Sequence, residues 1–291
     1  MKKLAFIYII LAGITWGTSG IFVKLLTPYG FTSPQLTAIR ATVSLVALTA
    51  FILIRERNAF KATPRELLLF LGSGASLFGT STCYYISMQA TSISTAVVLM
   101  YTAPVIVMVY SVAFLGEKLT KLKAVSVLLM IVGCGLVSGI IGGLKFDFIG
   151  IIIGMLSGIC YSAYNILTKI QMEKGIKSVS ASFYNFLVSS VISLTVANPS
   201  ELVSNTAARP DVIIPLMIAL GIVTYVIPYI LYTNAMKHLP AGTASALGIV
   251  EPMSATIFSI LIFHEKLSLL SAIGIILILS AVLMLSKTEN E

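Results

Sequence analysis

Ten apolar stretches follow one another along the chain, separated by short polar joints. They run roughly over 4–26, 34–54, 67–89, 92–115, 122–141, 147–168, 179–197, 211–235, 241–263 and 268–286. A helix needs about 20 mainly apolar residues to cross a bilayer, whereas a membrane barrel shows alternation over segments of about 10. These stretches do not alternate. The pattern predicts an all-α integral membrane protein with ten transmembrane helices and no soluble domain. The thinnest joint lies near Thr91, between the third and fourth stretches. The first stretch follows Lys2-Lys3 and outruns a signal-peptide core of about 7–15 residues. No A-x-A site closes it, so it reads as an uncleaved first span.

One pattern occurs twice. Ser94-Thr95-Ala96, Thr102-Ala103-Pro104 and Gly116-Glu117-Lys118-Leu119-Thr120 end the fourth stretch. Gly242-Thr243-Ala244, Val250-Glu251-Pro252 and His264-Glu265-Lys266-Leu267-Ser268 end the ninth. The spacing from threonine to proline to glutamate is the same in both copies. Five spans separate them, an odd number, so the copies point in opposite directions through the membrane. Weaker matches follow at a near-constant offset: Gly13, Trp16 and Lys24 against Gly158, Tyr161 and Lys169, and Ser33 and Arg40 against Ser178 and Asn185. The expected architecture is two inverted five-helix repeats, residues 1–142 and 143–291. Such repeats build secondary transporters, with the substrate site at their interface near the bilayer midplane.

Composition agrees and charge adds orientation. The 291 residues are 57% hydrophobic and 10% charged, against about 25% charged in soluble domains. Lysine and arginine dominate the joints that an inside N-terminus makes cytoplasmic. Fourteen lie there, four lie outside (Lys24, Lys145, Arg209, Lys266) and Arg40 lies within the second stretch, accounting for all 19. By the positive-inside rule both termini are cytoplasmic in a multi-pass protein of the cell membrane. The formal charge of +8 is thereby explained by orientation and by contact with anionic lipid headgroups, leaving no support for nucleic acid as a partner. Cys83, Cys134 and Cys160 stand singly in apolar runs, and His238 and His264 lie apart at joints. Neither a disulfide framework nor a metal site is indicated.

The chain resembles the EamA-like ten-helix exporters of the drug/metabolite transporter superfamily. The resemblance covers the whole length and rests on Ala12-Gly13-Ile14-Thr15-Trp16-Gly17, Arg40, the Pro104 and Glu251-Pro252 positions, and the two Glu-Lys-Leu ends. It implies export of amino acids, other small metabolites or drugs. The second half departs from the first, with Tyr161 in place of Trp16 and Asn185 in place of Arg40, so neither side chain's role is duplicated.

Few residues offer chemistry. Pro104 and Pro252 sit about halfway along their spans, where each removes one helical hydrogen bond and frees the carbonyl four residues back, Met100 and Gly248. Such kinks serve packing or line a wet cavity. Glu251 is a carboxylate at mid-membrane depth, by default a functional residue. It either faces a central cavity, taking a cationic group or a proton, or is partnered by Arg40 or by backbone donors at the kink. Arg40 could hold a substrate carboxylate bidentately or lock two helices together. Lys24 and Lys169 are placed to snorkel.

Tyr84, Tyr85, Gln89 and Tyr101, with Tyr161, Tyr164 and Asn165 and with Tyr225, Tyr229, Tyr232 and Asn234, supply a cavity lining or interhelical bonds. Tyr101, one turn before Pro104, and Trp16, by resemblance, are the preferred lining candidates, with Tyr85 and Tyr161 beside them. Gly13, Gly17 and Gly20, and Gly133, Gly135 and Gly139, permit close helix approach. Thr120 and Ser268 read as N-caps of the fifth and tenth spans.

The expected function is secondary active transport by alternating access between the repeats, exporting an amino acid or similar small metabolite, with a proton as coupling ion. No nucleotide-binding loop and no cofactor is indicated, and the chain is expected to act as a monomer or homodimer. The alternative within transport is efflux of cationic drugs or quaternary amines, with Glu251 and the aromatic residues as a cation-binding wall. A membrane-embedded enzyme would need a constellation such as HExxH, GxSxG or paired carboxylates, none of which occurs. A structural, non-transport membrane protein completes the alternatives.

Overall fold

The computed structural model describes residues 2–91, 93–137, 147–264 and 268–288. The expected 142/143 boundary, Gly139, Lys145 and the second corner Glu265-Lys266-Leu267 lie outside the described residues, as does the side chain of Gln89. The secondary structure of the described residues is helical.

The first span is broken: α1 (Lys2–Gly17) gives way at Thr18 to α2 (Ser19–Leu26). The hydroxyls of Thr15, Thr18 and Ser19 donate to carbonyls three or four residues back, a competition with the helical ladder that bends helices. The second is α3 (Ser33–Arg55), begun by a Thr32–Gln35 capping box with Pro34 in its first turn. The third is α4 (Pro64–Ala90), begun by the reciprocal Thr63–Glu66 box. Thr91 ends α4, where the sequence puts the thinnest joint.

The fourth stretch is split into α5 (Ile93–Met100) and α6 (Ala103–Phe114). Next come α7 (Lys121–Val137), α8 (Phe148–Glu173) and α9 (Ser178–Val196). An additional helix, α10 (Pro199–Ala208), lies in what the sequence suggests is a plain joint, and it buries none of its residues. The eighth stretch is α11 (Pro210–Gly221), a π-turn over Ile222–Val226, and α12 (Ile227–Ala235). The ninth is split into α13 (Ala241–Leu247) and α14 (Val250–Phe263), and α15 (Leu269–Thr288) ends the chain's described part. Thr120 and Ser268 cap as expected, accepting from Lys123 N at 3.2 Å and from Ser271 N at 3.0 Å.

Among the described residues, eight helical stretches are long and apolar enough to cross a membrane: Lys2–Tyr29, Ser33–Arg55, Pro64–Met88, Thr95–Phe114, Phe148–Glu173, Ser178–Val196, Pro210–Ala235 and Ala241–Phe263. The 17-residue α7 and the apolar part of α15, Leu269–Leu285, are shorter. Large apolar side chains face outward, among them Leu68, Phe114 and Leu269, while serines, threonines and asparagines such as Ser44, Asn165 and Asn185 are buried. That inversion of the usual inside-out pattern suits a lipid surround, where buried polar groups bond between helices.

The principal pairings set the bundle. α4 packs along α8 and α9, α1 along α12 and α14, α3 along α9 and α11, α5 along α8, α6 along α13, and α7 along α15. α7 and α15 meet at Gly133 and Gly274, where a Cβ on either glycine would lie under 3 Å from the other's carbonyl oxygen. Only a missing side chain allows that approach.

Lys2, Glu117, Lys169 and Lys237 gather at one end of the bundle. There too Lys177 meets Glu56 at 3.1 Å, and Tyr184 donates to the Phe60 carbonyl. This is the basic end. At the other end Asn205 donates to the Gly30 carbonyl, tying α10 to the turn before α3.

Candidate functional site

Both predicted prolines break their spans. α5 stops at Met100 before Pro104, and α13 stops at Leu247 before Pro252. At the second break the Gly248 carbonyl is the freed acceptor, and two donors meet it. Glu251 N–H reaches it at 3.0 Å and the Tyr101 hydroxyl at 3.3 Å. Tyr101 stands in the first break, so each interruption supplies a partner to the other.

Glu251 opens α14. Its Oε2 accepts the Tyr101 hydroxyl at 2.8 Å. The backbone beneath it is seated by α1: a Cβ at Gly13 would lie 2.9 Å from Val250 Cβ, and one at Gly17 would lie 2.8 Å from Ala255 N and 3.0 Å from Glu251 O. The glycines of the first span therefore bring α1 backbone directly onto the turn that carries the carboxylate. Gly20, by contrast, has open space around it. Tyr161 joins the group from α8, its hydroxyl 3.2 Å from where a Cβ on Gly248 would stand.

An aromatic enclosure adjoins this turn. The Trp16 ring centroid lies 5.2 Å from that of Tyr229 and 5.3 Å from that of Tyr232. Tyr229 in turn contacts Tyr164, Phe186 and Tyr225. Arg40 enters from α3, its guanidinium carbon 4.7 Å from the Tyr225 ring centroid and its Nη2 donating to the Tyr85 hydroxyl at 3.2 Å. Tyr225 lies in the π-turn, a widened register common at functional sites.

Arg40 and Glu251 feel each other's charge, yet no ion pair joins them among the described residues. Two donors of this enclosure, Trp16 Nε1 and Arg40 Nε, are buried and find no hydrogen-bond partner among the described residues. Each leaves an unmet desolvation cost of about 1–3 kcal/mol.

The fold thus brings Glu251, Tyr101, Tyr161, Trp16, Arg40 and Tyr85 into one neighbourhood with the two proline breaks. Asn234 does not join them; it accepts from Ser178 and Lys237 at the basic end. Asn185, the sequence counterpart of Arg40, accepts from Ser73 instead. Sequence reading does not single out Tyr225 from its tyrosine neighbours as the ring under Arg40. Nor does it find the chain in which Tyr232 donates to Asn165 at 2.7 Å and Asn165 donates to Ser245 at 3.2 Å. Among the described residues no group of His, Cys, Asp and Glu side chains could hold a metal ion.

A cavity of about 210 Å³ reaches Tyr85 from the end opposite the basic one, lined also by Pro34, Thr37, Phe78, Thr82 and Ser193. It ends at the residue that holds the Arg40 guanidinium.

Residues 3–139 match a family model described as the EamA-like transporter family, and residues 148–287 match it again. The chain belongs to the EamA-like transporter family. This EamA-like transporter is 27% identical over 276 residues to an uncharacterised transporter of Archaeoglobus fulgidus, across 95% of this chain and 94% of that protein. It is 27% identical over 252 residues to the threonine/homoserine exporter RhtA of Salmonella typhimurium, across 86% of this chain and 80% of that protein. A crystal structure with 18% sequence identity superposes with a TM-score of 0.78 over 98% of this chain and 97% of its own, a likeness of fold. The EamA-like transporter is therefore a multi-pass membrane protein, and its substrate is a small molecule.

Proposed function

We propose that the chain is a proton-coupled secondary exporter of small zwitterionic amino acids, working by alternating access between two inverted five-helix repeats. The observation that carries the substrate class is the separated pair. A fixed cation, Arg40, and a carboxylate, Glu251, share one aromatic neighbourhood without bonding to each other. A zwitterion satisfies both, its carboxylate on the unused donors of Arg40 and Trp16 and its ammonium on Glu251. The activity for which RhtA is named, threonine and homoserine export, agrees with that chemistry. A permanently cationic drug would meet the uncompensated guanidinium, which disfavours the quaternary-amine reading.

The helix pairings support the inverted repeat. Counting ten spans in order and moving each by five exchanges third-with-sixth for eighth-with-first, fourth-with-sixth for ninth-with-first, and third-with-seventh for eighth-with-second. Second-with-seventh, fourth-with-ninth and fifth-with-tenth return to themselves. Each of these is a pairing of the bundle. The two segments matched by the family model fall on either side of the expected division between 1–142 and 143–291. With the basic end in the cytoplasm, both termini lie inside the cell membrane's inner face.

Purified protein in proteoliposomes, assayed across a panel of amino acids and quaternary amines with and without a pH gradient, tests the whole reading. Gradient-dependent flux of a small amino acid is the expected result. Flux of quaternary amines alone, or no substrate-dependent flux, overturns it.

Arg40 has its own test. Arg40→Lys keeps the charge but loses the planar stack on Tyr225 and the forked donors. The expected result is a KM raised about tenfold, from losing one charge-assisted bond of about 1.5 kcal/mol, with thermal stability near the parent's. An unchanged KM assigns Arg40 to helix locking instead.

A further inference from the structure

The two ends of the bundle are built from matching parts but stand differently. At the basic end α6 packs along α13, Glu117 Oε1 accepts the Ala241 N–H at 2.6 Å, and a Cβ at Gly242 would lie 2.9 Å from Met108 Sδ. Every residue from 241 to 250 is buried. At the other end the corresponding helices are α5 and α14, which form no pairing of comparable size among the described residues. Residues 97–100 of α5 and 255–260 of α14 are half-buried throughout. The basic end is therefore the closed one.

A lysine fastens it. Lys169 Nζ on α8 donates to the Met236 and Leu239 carbonyls at 3.0 Å each and lies 3.6 Å from Glu173. Those carbonyls lie past the end of α12, in its connection to α13, where acceptors need donors from outside the helix. A snorkelling lysine would hold its ammonium out among headgroups. The Lys169 side chain is instead 12% exposed. Its counterpart Lys24 lies 3.9 Å from the Phe263 ring centroid at the end of α14. The repeated pattern matches Thr95 with Thr243, and the same step matches Met88 with Met236 and Thr91 with Leu239. The carbonyls equivalent to those held by Lys169 are therefore those of Met88 and Thr91. The helix that carries Lys24, α2, packs on α11 and α14, with no comparable pairing on α4 or α5 among the described residues. The break at Thr18 directs it there, whereas α8 runs unbroken.

We propose that Lys169 and Lys24 are alternating latches, each holding the helix connection at its own end of the bundle while that end is shut. This rests on the transporter reading above, because only an alternating-access protein opens and shuts both ends. Inverted repeats reach the opposite state by exchanging conformations. In that state α1 and α2 straighten into one helix, as α8 is here, and Lys24 leaves Phe263 for the Met88 and Thr91 carbonyls. The α8 helix bends in turn, and Lys169 leaves Met236 and Leu239. An ammonium on a flexible stem suits a bond that must form and break, since its three donors rotate to meet their acceptors. The central site differs between halves, Trp16 against Tyr161 and Arg40 against Asn185, yet both latch positions hold lysine.

The test reads both ends of the full chain, in a background with Cys83, Cys134 and Cys160 replaced by serine. Ala244→Cys, fully buried at the basic end, is labelled with a membrane-impermeant maleimide in inside-out vesicles. Its rate is divided by that of the exposed Asn58→Cys. Thr256→Cys, half-buried on α14 and the counterpart of Met108, is labelled in right-side-out vesicles against the exposed Ser204→Cys. Lys169→Gln should raise the first normalised rate and lower the second, moving their ratio about tenfold for one lost charge-assisted bond. Lys169→Arg, which keeps charge and donors, should stay near the parent. Lys24→Cys with Thr91→Cys should form a disulfide under a mild oxidant, faster when Lys169→Gln is added.

A rise at the basic end with no fall at the other marks Lys169 as a static cap that frays locally, and overturns the proposal. So does an unchanged ratio, or a 24–91 pair that never cross-links. Should Lys169→Gln fail to fold, the cross-link in the chain with Lys169 intact carries the test. Neither readout depends on substrate. Reciprocal labelling in a protein without flux removes the amino-acid reading and leaves the latches, whereas flux without reciprocal labelling removes this inference alone.

Discussion

Glu251→Gln is expected to abolish proton-driven amino-acid flux while the protein reaches the membrane at parental levels. Glutamine has the shape of glutamate, and its amide oxygen can still accept the Tyr101 hydroxyl that now reaches Oε2 at 2.8 Å. The turn over Gly248 is held by the Glu251 backbone N–H, which the substitution keeps. What disappears is the negative charge, and with it, under the proposed mechanism, both the partner for a substrate ammonium and the site for an exchanged proton. Losing one charge-assisted bond is worth about 1.5–3 kcal/mol, or roughly 10- to 150-fold in substrate affinity. Losing the proton carrier removes coupling altogether. Tyr101→Phe isolates the lesser contribution: the carboxylate stays and one hydrogen bond goes, so flux is expected to fall only about fivefold. Both are read as gradient-driven uptake in proteoliposomes, with surface-exposed protein counted separately. Parental uptake by Glu251→Gln removes Glu251 from the mechanism.

The parts of this site that sequence could announce are those dictated by one residue's own backbone. A proline at 104 or 252 has no N–H to give, so the breaks at Tyr101 and Gly248 are readable without knowing any neighbour. Thr120 and Ser268 cap their helices through local geometry alone. A carboxylate in an apolar span draws notice wherever it points. The tyrosines are different. Which of Tyr225, Tyr229 and Tyr232 lies under Arg40 depends on the rotation of α12 and on the π-turn at Ile222–Val226. Nothing in an Ile-Val-Thr-Tyr-Val run distinguishes that turn from ordinary helix.

The hydrogen bond from the Ala241 N–H to Glu117 spans 124 residues of sequence. The sequence marks the residue, through its place in the repeated pattern, but reads the corner only as the approach to the Thr120 N-cap and is silent on Ala241. The break of the first span at Thr18 had weak local signals in its hydroxyls and flanking glycines, and α10 is a polar helix that hydropathy passes over.

Gly17→Ala is expected to destabilise the protein by about 1–3 kcal/mol, the usual cost of forcing extra volume into a packed core. The added methyl carbon would stand 2.7 Å from Ser254 Cβ, 2.8 Å from Ala255 N and 3.0 Å from Glu251 O. Two of those three atoms are backbone, and backbone within a helix cannot turn aside as a flexible side chain can. Relief requires α1 to move off α14, and α1 is the element that seats the Glu251 turn. Transport should therefore fall with stability, although alanine is otherwise the better helix former by about 1 kcal/mol. Gly20→Ala separates propensity from contact within the same span. Its added carbon meets nothing within 4 Å, so it should leave stability unchanged or raise it by up to about 1 kcal/mol. Thermal denaturation of the two purified variants in detergent reads the contrast. Equal melting of both would mean that the first span's glycines serve helix flexibility and not the close approach that positions Glu251.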